Sequence, residues 1–323
     1  MLAIHRFAFT QVDQVEELAR RSESEGWDGL WLSDSQNLQS DALISLGLAA
    51  RCTSRLTLST AATNLETRHP AVTACAIATV DQVSGGRAAL GLGRGDTALT
   101  KLGLKPRPFE AFRRGIVQLQ GFLRGEEVEL PTGPSRIEWL RDRRKVPLNL
   151  FASGPRALTL GAELAEQVTL AVGASPEWAR WGVERVRAVS PDVQVGLVVL
   201  LGLGRAGREL VRGNVTIFAQ FAGAAARVPG LLDEQDAAVL ERARAAYREG
   251  SAPLPVPDDF IDRFAVVGDP DHCLARVRAL AGLGLSHLLV VGPWKTAEPA
   301  AIAEHDACVP EFLRQIGRTT ILR

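Results

Sequence analysis

The chain has 323 residues, 46% hydrophobic and 23% charged, with 37 lysines and arginines balanced by 37 aspartates and glutamates. Zero net charge removes the basic excess that nucleic acid or an anionic membrane would attract, and 6% aromatics argue against a single-strand stacking platform. The longest apolar run, VQVGLVVLLGLG at 193–204, is short of the roughly 20 residues of a membrane span, and the N-terminus lacks the basic start and apolar core of a signal peptide.

Short apolar runs alternate with stretches of helical period. LAIHRFAF (2–9) reads as a strand, Asp13 as the cap of a helix and Gly26 as its stop. GLWLSD (29–34) is a second strand, followed by a helix opened by Asp41, a third strand in LTLSTAATN (56–64), and a helix started by Pro70. AALGLGRG (88–95) is the fourth strand, and a helix spans about 108–124. The second half repeats the rhythm. Strands are expected at 146–153, 167–173, 193–202 and 286–293, with helices from Pro155, from Pro176, over about 206–249 and near 297–316.

Eight strands this apolar suggest a parallel sheet buried on both faces. The expected fold is therefore α/β, a TIM (β/α)8 barrel with an insertion after strand 7, formed by residues 1–323 as one domain. A doubly wound open sheet is the alternative. The segments 125–145 and 250–263 read as loops. Cys52, Cys75, Cys273 and Cys308 have neither metal nor redox spacing and fit small core positions in a reduced, cytoplasmic protein.

Several motifs are absent: H-E-x-x-H, G-x-S-x-G and Walker A, and no two histidines are spaced i, i+4, so no metal site is expected. Gly202, Gly204 and Gly207 spell the G-x-G-x-x-G of dinucleotide sites after a strand. They come late in the chain, with no acid about 20 residues on to hold a ribose, so a glycine-lined turn is the better reading. In a barrel, ligands meet the C-terminal strand ends. Asp34 and Ser35, Thr63 and Asn64, Gly93 to Asp96, Ser153 to Pro155, Gly173 to Ser175 and Gly292 to Trp294 fall there. Small residues dominate this set, and it yields no nucleophile–base pair. Such a mouth suits a flat organic cofactor whose own ring does the chemistry. Ser153-Gly154-Pro155, opening a helix, offers a phosphate seat to which Arg156 could add charge. A capped helix start without ligand is the alternative.

TNLETRHPAVTACAIATVDQVSGGRAALGLGRGD (63–96) resembles the bacterial-luciferase-like superfamily of flavin and F420-dependent oxidoreductases, and is most similar to its methylenetetrahydromethanopterin reductase branch. The resemblance extends through 27–37, 151–177 and 264–293. It implies a TIM barrel, usually a homodimer, with the cofactor at the C-terminal mouth. It also implies a non-prolyl cis peptide at Ala61–Ala62 that props one face of the ring, with Thr63 and Asn64 beside it. Gly93, Arg94, Gly95 and Asp96 would lie near the ring, Asp34 would bond the cofactor, and Ser153, Gly154, Pro155, Gly173 and Ala174 would line the phosphate and ribityl path. Asp96 is either a catalytic acid near the reactive C5 or the N-cap of TALTKLG. Arg68 and His69 are expected to organise the loop after strand 3 or a dimer contact, and Trp294 to face substrate.

Two positions depart from the superfamily pattern. Leu65 replaces a usual Pro, and Ser35 stands where F420-dependent sugar-phosphate dehydrogenases carry a catalytic histidine, which disfavours that alcohol oxidation. The resemblance therefore implies hydride transfer between F420 and a small organic substrate. An FMN-dependent monooxygenase and a non-catalytic flavin binder are the alternatives. F420 has an acidic tail, for which Arg94, Lys101, Lys105 and Arg107 could form a basic groove. A separate flavin or F420 reductase is a further expected partner.

Overall fold

The computed structural model describes residues 2–9, 11–249 and 256–321. Eleven strands form in chain order: β1 (Ala3–Ala8), β2 (Gly29–Leu32), β3 (Thr57–Thr60), β4 (Ala88–Leu92), β5 (Val128–Leu130), β6 (Gly133–Ser135), β7 (Leu148–Ala152), β8 (Gln167–Leu170), β9 (Gln194–Leu203), β10 (Val266–Gly268) and β11 (His287–Val291). Eight of them close a parallel ring in the order β1-β2-β3-β4-β7-β8-β9-β11, with β11 paired back to β1. This is the TIM barrel expected from the sequence, and the insertion after the seventh barrel strand lies between β9 and β11.

Strands β2, β4 and β11 are wholly buried because helices cover them outside and side chains fill the barrel inside. The interior is partly polar. His5 stacks on Trp31 with ring centroids 4.4 Å apart, and Asn149, Thr169 and His287 form a hydrogen-bonded chain at 2.9–3.0 Å. Glycine makes room for both imidazoles: a Cβ on Gly29 would lie 2.4 Å from His5 Nδ1, and one on Gly196 only 2.0 Å from His287 Nε2. Burial holds the His5 and His287 imidazoles below the usual histidine range, His287 at about 4.

Local signals were followed closely at several helix ends. Asp41 caps helix Ala42–Cys52 through Leu43 N and Ile44 N, and Pro70, Pro155 and Pro176 each start a helix. Asp13 does not act as a cap. Helix Val15–Glu25 begins after Gln14 without a side-chain cap, while Gly26 ends it in the left-handed region as expected. The segment read as a loop at 125–145 holds the antiparallel β5–β6 hairpin. Part of 250–263 is helix Asp258–Phe264, while 250–255 lies outside the described residues. The helical region expected over about 206–249 holds two helices, Gly207–Ala222 and Glu234–Glu249, joined through a 3₁₀ turn at Ala225–Arg227. No helix among the described residues is long and apolar enough to cross a membrane.

Candidate active site

At the exit of β2, Asp34 is buried and its carboxylate is shared. Thr63 Oγ1 donates to Oδ2 at 2.6 Å, and Arg68 Nη1 donates to the same oxygen at 2.5 Å. Arg68 Nη2 also reaches Asp41 at 2.6 Å. Burial works against the Arg68 charge, but Asp34 and Asp41 outweigh it and hold the guanidinium above its usual range. Arg68 thus organises the loop after β3. His69 caps helix Pro70–Ser84, its Nδ1 accepting from Ala71 N at 3.2 Å.

The loop after β3 folds against the exit of β4. The Ala61–Ala62 peptide is cis. Thr63 N donates to Gly91 O and Gly93 N to Thr63 O, both at 2.9 Å. The Thr60 hydroxyl adds a 2.7 Å bond to the Gly91 carbonyl. A Cβ on Gly91 would lie 1.8 Å from the Thr60 carbonyl oxygen, so this crossing requires glycine. Gly93 lies just past the end of β4, not within it. A Cβ there would stand 3.6 Å from Ala62 Cβ, on a floor otherwise built from methyl groups and backbone. Gly95 turns the chain at φ 86°, close to Asn64. Asn64 is buried and its Oδ1 accepts from Glu66 N and Thr67 N at 2.9 and 3.0 Å, which fixes the loop from inside.

Asp96 follows this turn, half-buried, at the N-cap position of the short helix Thr97–Thr100. The Asp96 side chain does not make the N-cap bond to that helix, and its backbone carbonyl accepts from Leu99 N and Thr100 N at 2.9 Å. Ala61, Ala62, Thr63, Asn64, Gly93, Gly95 and Asp34 are therefore brought together through direct contacts, with Asp96 next in the chain.

The remaining site residues fall on the exits of β7 and β8. Ser153, Gly154 and Pro155 open helix Pro155–Leu164, whose N-terminus has no side-chain cap. The insertion packs over them: Ser153 Oγ donates to Phe221 O at 2.5 Å, and a Cβ on Gly154 would come within 2.9 Å of Ala224 Cβ. Gly173 (φ 92°) and Ala174 are buried under Phe264, with Ala174 N donating to Phe264 O at 2.8 Å. Arg94 donates to Arg107 O at 2.9 Å, and its guanidinium and that of Arg156 lie 5.8 and 4.3 Å from the centre of the Phe109 ring. Arg107 itself is taken by Glu66 and Leu65 O, while Lys101 and Lys105 are exposed.

The glycines of G-x-G-x-x-G pack on one another. A Cβ on Gly202 would sit 2.2 Å from Gly207 O, and one on Gly207 would sit 2.4 Å from Gly202 O and 2.8 Å from Gly268 N. They make a tight turn beside β10. Trp294 lies against Gly213, and its backbone N donates to Leu210 O at 2.6 Å, so it ties helix Gly207–Ala222 to the exit of β11. Four aromatic residues that the sequence reading passed over, Phe7, Phe9, Phe218 and Phe221, form a run of ring contacts. The i, i+2 spacing of Phe7 and Phe9 at the end of β1 and the i, i+3 spacing of Phe218 and Phe221 on a helix were signals that could have found them.

The closed ring of eight parallel strands, covered by helices, is a TIM barrel. Residues 5–287 match the family described as luciferase-like monooxygenase, and the chain belongs to that family. Membership makes it an enzyme of the luciferase-like oxidoreductase class. It is 27% identical over 309 residues to a 5,10-methylenetetrahydromethanopterin reductase of Methanolobus tindarius, covering 87% of this chain and 90% of the relative. It is likewise 27% identical to an F420-dependent glucose-6-phosphate dehydrogenase of Nakamurella multipartita, covering 94% of each. The solved F420-dependent tetrahydromethanopterin reductase of Methanopyrus kandleri superposes with a TM-score of 0.73 at 22% identity, covering 98% of this chain and 99% of that one.

Proposed function

We propose that the chain transfers a hydride between coenzyme F420 and a small organic substrate at the C-terminal mouth of the barrel. The observation that carries this reading is the floor at the β3 and β4 exits. Ala61, Ala62 and Gly93 offer a surface without long side chains, Thr63 and Asn64 are held rigid beside it, and Asp96 follows Gly95 in the chain next to it. A flat ring fits this surface, and a side chain at Gly93 would fill it. Relatives over nearly the whole chain whose names state F420 dependence support the same cofactor.

Within this reading, F420 supplies a C5 that accepts or gives a hydride. Ala61, Ala62 and Gly93 support one face of the ring and leave the other to substrate. Asp34 acts through Thr63, and Arg68 keeps that carboxylate in place. Ser153, Gly154 and Pro155, with the N-terminus of helix Pro155–Leu164, hold the phosphate, and Gly173 and Ala174 shape the path behind it. Arg94 and Arg156, either side of the sequence gap bridged by Phe109, attract the acidic tail. Asp96 holds or delivers the proton that the substrate gains or loses. The working unit is a homodimer, supported by the exposed Ile44 and Val72 on two adjoining helices that carry one charged residue each. A separate F420 reductase recycles the cofactor.

Titration of the purified chain with oxidised F420 and with FMN, followed by cofactor fluorescence, tests the assignment. Saturable F420 binding with weaker FMN binding is expected. Tight FMN binding with none of F420 would replace the proposal by the FMN monooxygenase alternative.

A further inference from the structure

Strands β4 and β7 are neighbours in the ring, and the chain places a local excess of positive charge beside their exits. Residues 94–114 hold Arg94, Lys101, Lys105, Arg107, Arg113 and Arg114 against only Asp96 and Glu110, in a chain whose net charge is zero. Part of this charge is neutralised nearby. Arg107 pairs with Glu66 and also donates to Leu65 O, and Arg113 pairs with Glu163. Arg94 is exposed and donates to Arg107 O at 2.9 Å, a carbonyl rather than a carboxylate. Arg156, from the exit of β7, meets Glu110 only at 3.6 Å, with the two side chains 72% and 70% exposed.

Arg94 and Arg156 share one neutral partner. The centre of the Phe109 ring lies 5.8 Å from Arg94 Cζ and 4.3 Å from Arg156 Cζ. Phe109 is half-buried, packs against the core and is the first residue of helix Phe109–Leu123, whose N-terminus has no side-chain cap. A phenyl face attracts a guanidinium without neutralising it, whereas a carboxylate at this position would cancel one of the two charges. One anchored ring therefore keeps two like charges close together and available to an anion. The positive end of the helix adds to the field at the same place.

We propose that Phe109 is a positioning residue that holds Arg94 and Arg156 as a paired receptor for a chain of carboxylates. The glutamate tail of F420 then leaves the barrel over the N-terminus of helix Phe109–Leu123, between the exits of β4 and β7. This rests on the proposed cofactor and adds to it the route of the tail and an uncharged residue that fixes that route. Arg156 directly follows Ser153, Gly154 and Pro155, so a chain continuing from a phosphate held there meets the pair at once. FMN ends at its phosphate and does not extend to the pair, so the pair favours F420 by a contact remote from the ring. Exposed charges make this contact sensitive to salt, while the floor under the ring is made of methyl groups and backbone.

The test is fluorescence titration of the full chain with two probes: F420 bearing several glutamates, and the same deazaflavin with its ribityl arm ending in a phosphate. F420 is expected to bind about tenfold more tightly than the truncated probe at about 0.02 M salt, and about equally at about 0.5 M. Phe109→Leu keeps an apolar side chain but removes the ring face. It should weaken F420 about three- to tenfold at low salt and leave the truncated probe unchanged, while Phe109→Tyr binds both like the parent. Arg94→Gln should act like Phe109→Leu. A tail that adds no affinity at low salt, or Phe109→Leu weakening both probes alike or neither, would overturn the inference. If the truncated probe binds the parent and the tail adds nothing, the cofactor assignment stands and the tail route alone falls. If neither probe binds, the cofactor assignment falls and the tail route with it.

Discussion

Arg68 and Asp34, 34 positions apart in the sequence, meet with Nη1 2.5 Å from Oδ2, and the arginine's second nitrogen continues to Asp41 at 2.6 Å. The contact joins the exit of β2, the loop after β3 and the N-cap of helix Ala42–Cys52 in one ionic unit. Asp34 is 4% exposed, so its charge has little water to fall back on. Arg68→Met removes the partner of a buried carboxylate and is expected to cost about 3–5 kcal/mol of stability. Urea unfolding of the variant checks this; a loss below about 1 kcal/mol would mean that Thr63 alone satisfies Asp34.

Gly91→Ala should be among the most damaging single-methyl changes in the barrel. Its Cβ would lie 1.8 Å from the Thr60 carbonyl, and Gly91 O is already bonded to Thr60 Oγ1 and Thr63 N. Overpacking at ordinary core sites costs about 1–3 kcal/mol, and a backbone collision offers no rotamer escape. The expected outcome is a loss at or above the top of that range, seen in the denaturation midpoint. A variant as stable as the parent would show that β3 and β4 can separate freely.

Asp96→Asn separates the two roles read from the sequence. Asparagine keeps the shape of the side chain and a carbonyl acceptor while removing the acid, so the melting temperature should stay within a few degrees of the parent. Turnover with reduced F420 should fall by ~10²–10⁴, the usual range for a lost general acid. A lowered melting temperature with full turnover would assign Asp96 to structure.

Stability should decline in mild acid. Burial keeps His287 and His305 at about 4, and His305 Nδ1 accepts a 3.0 Å bond from Leu203 N that protonation would remove. Both folded values lie below the unfolded value of about 6.5, so the unfolded chain takes up protons first. The histidine contribution is complete above pH 6.5 and is lost as the pH falls towards 4, at up to about 1.4 kcal/mol per pH unit for each imidazole. Urea midpoints from pH 7.5 to 4 check the slope, and His305→Gln should flatten it.

Much of this architecture was legible before the structure. Buried parallel strands leave continuous Val, Leu and Ile runs, and Pro70, Pro155 and Pro176 mark helix starts because proline's fixed φ and missing N–H suit a first turn. The β5–β6 hairpin was hidden because its strands have three residues each and one contains Pro134. β10 exists only because β9 runs on past the barrel to Leu203, a tertiary extension that no local pattern announces. At the site, small residues marked the strand exits, but the Arg68–Asp34–Asp41 unit joins side chains 27 to 34 positions apart, and long-range pairing of that kind leaves no trace in spacing. The aromatic run has the same origin: Phe7 and Phe218 are 211 positions apart in the sequence and meet only through barrel closure.

A crystal structure of the chain with F420 would test the proposed function most directly. The deazaflavin ring is expected on Ala61, Ala62 and Gly93, with its C5 edge towards Asp96 and its phosphate at Ser153 and Gly154. A ring or phosphate seated instead in the surface groove of Arg208, His272 and Arg276, with the β3 and β4 exits unchanged, would contradict it.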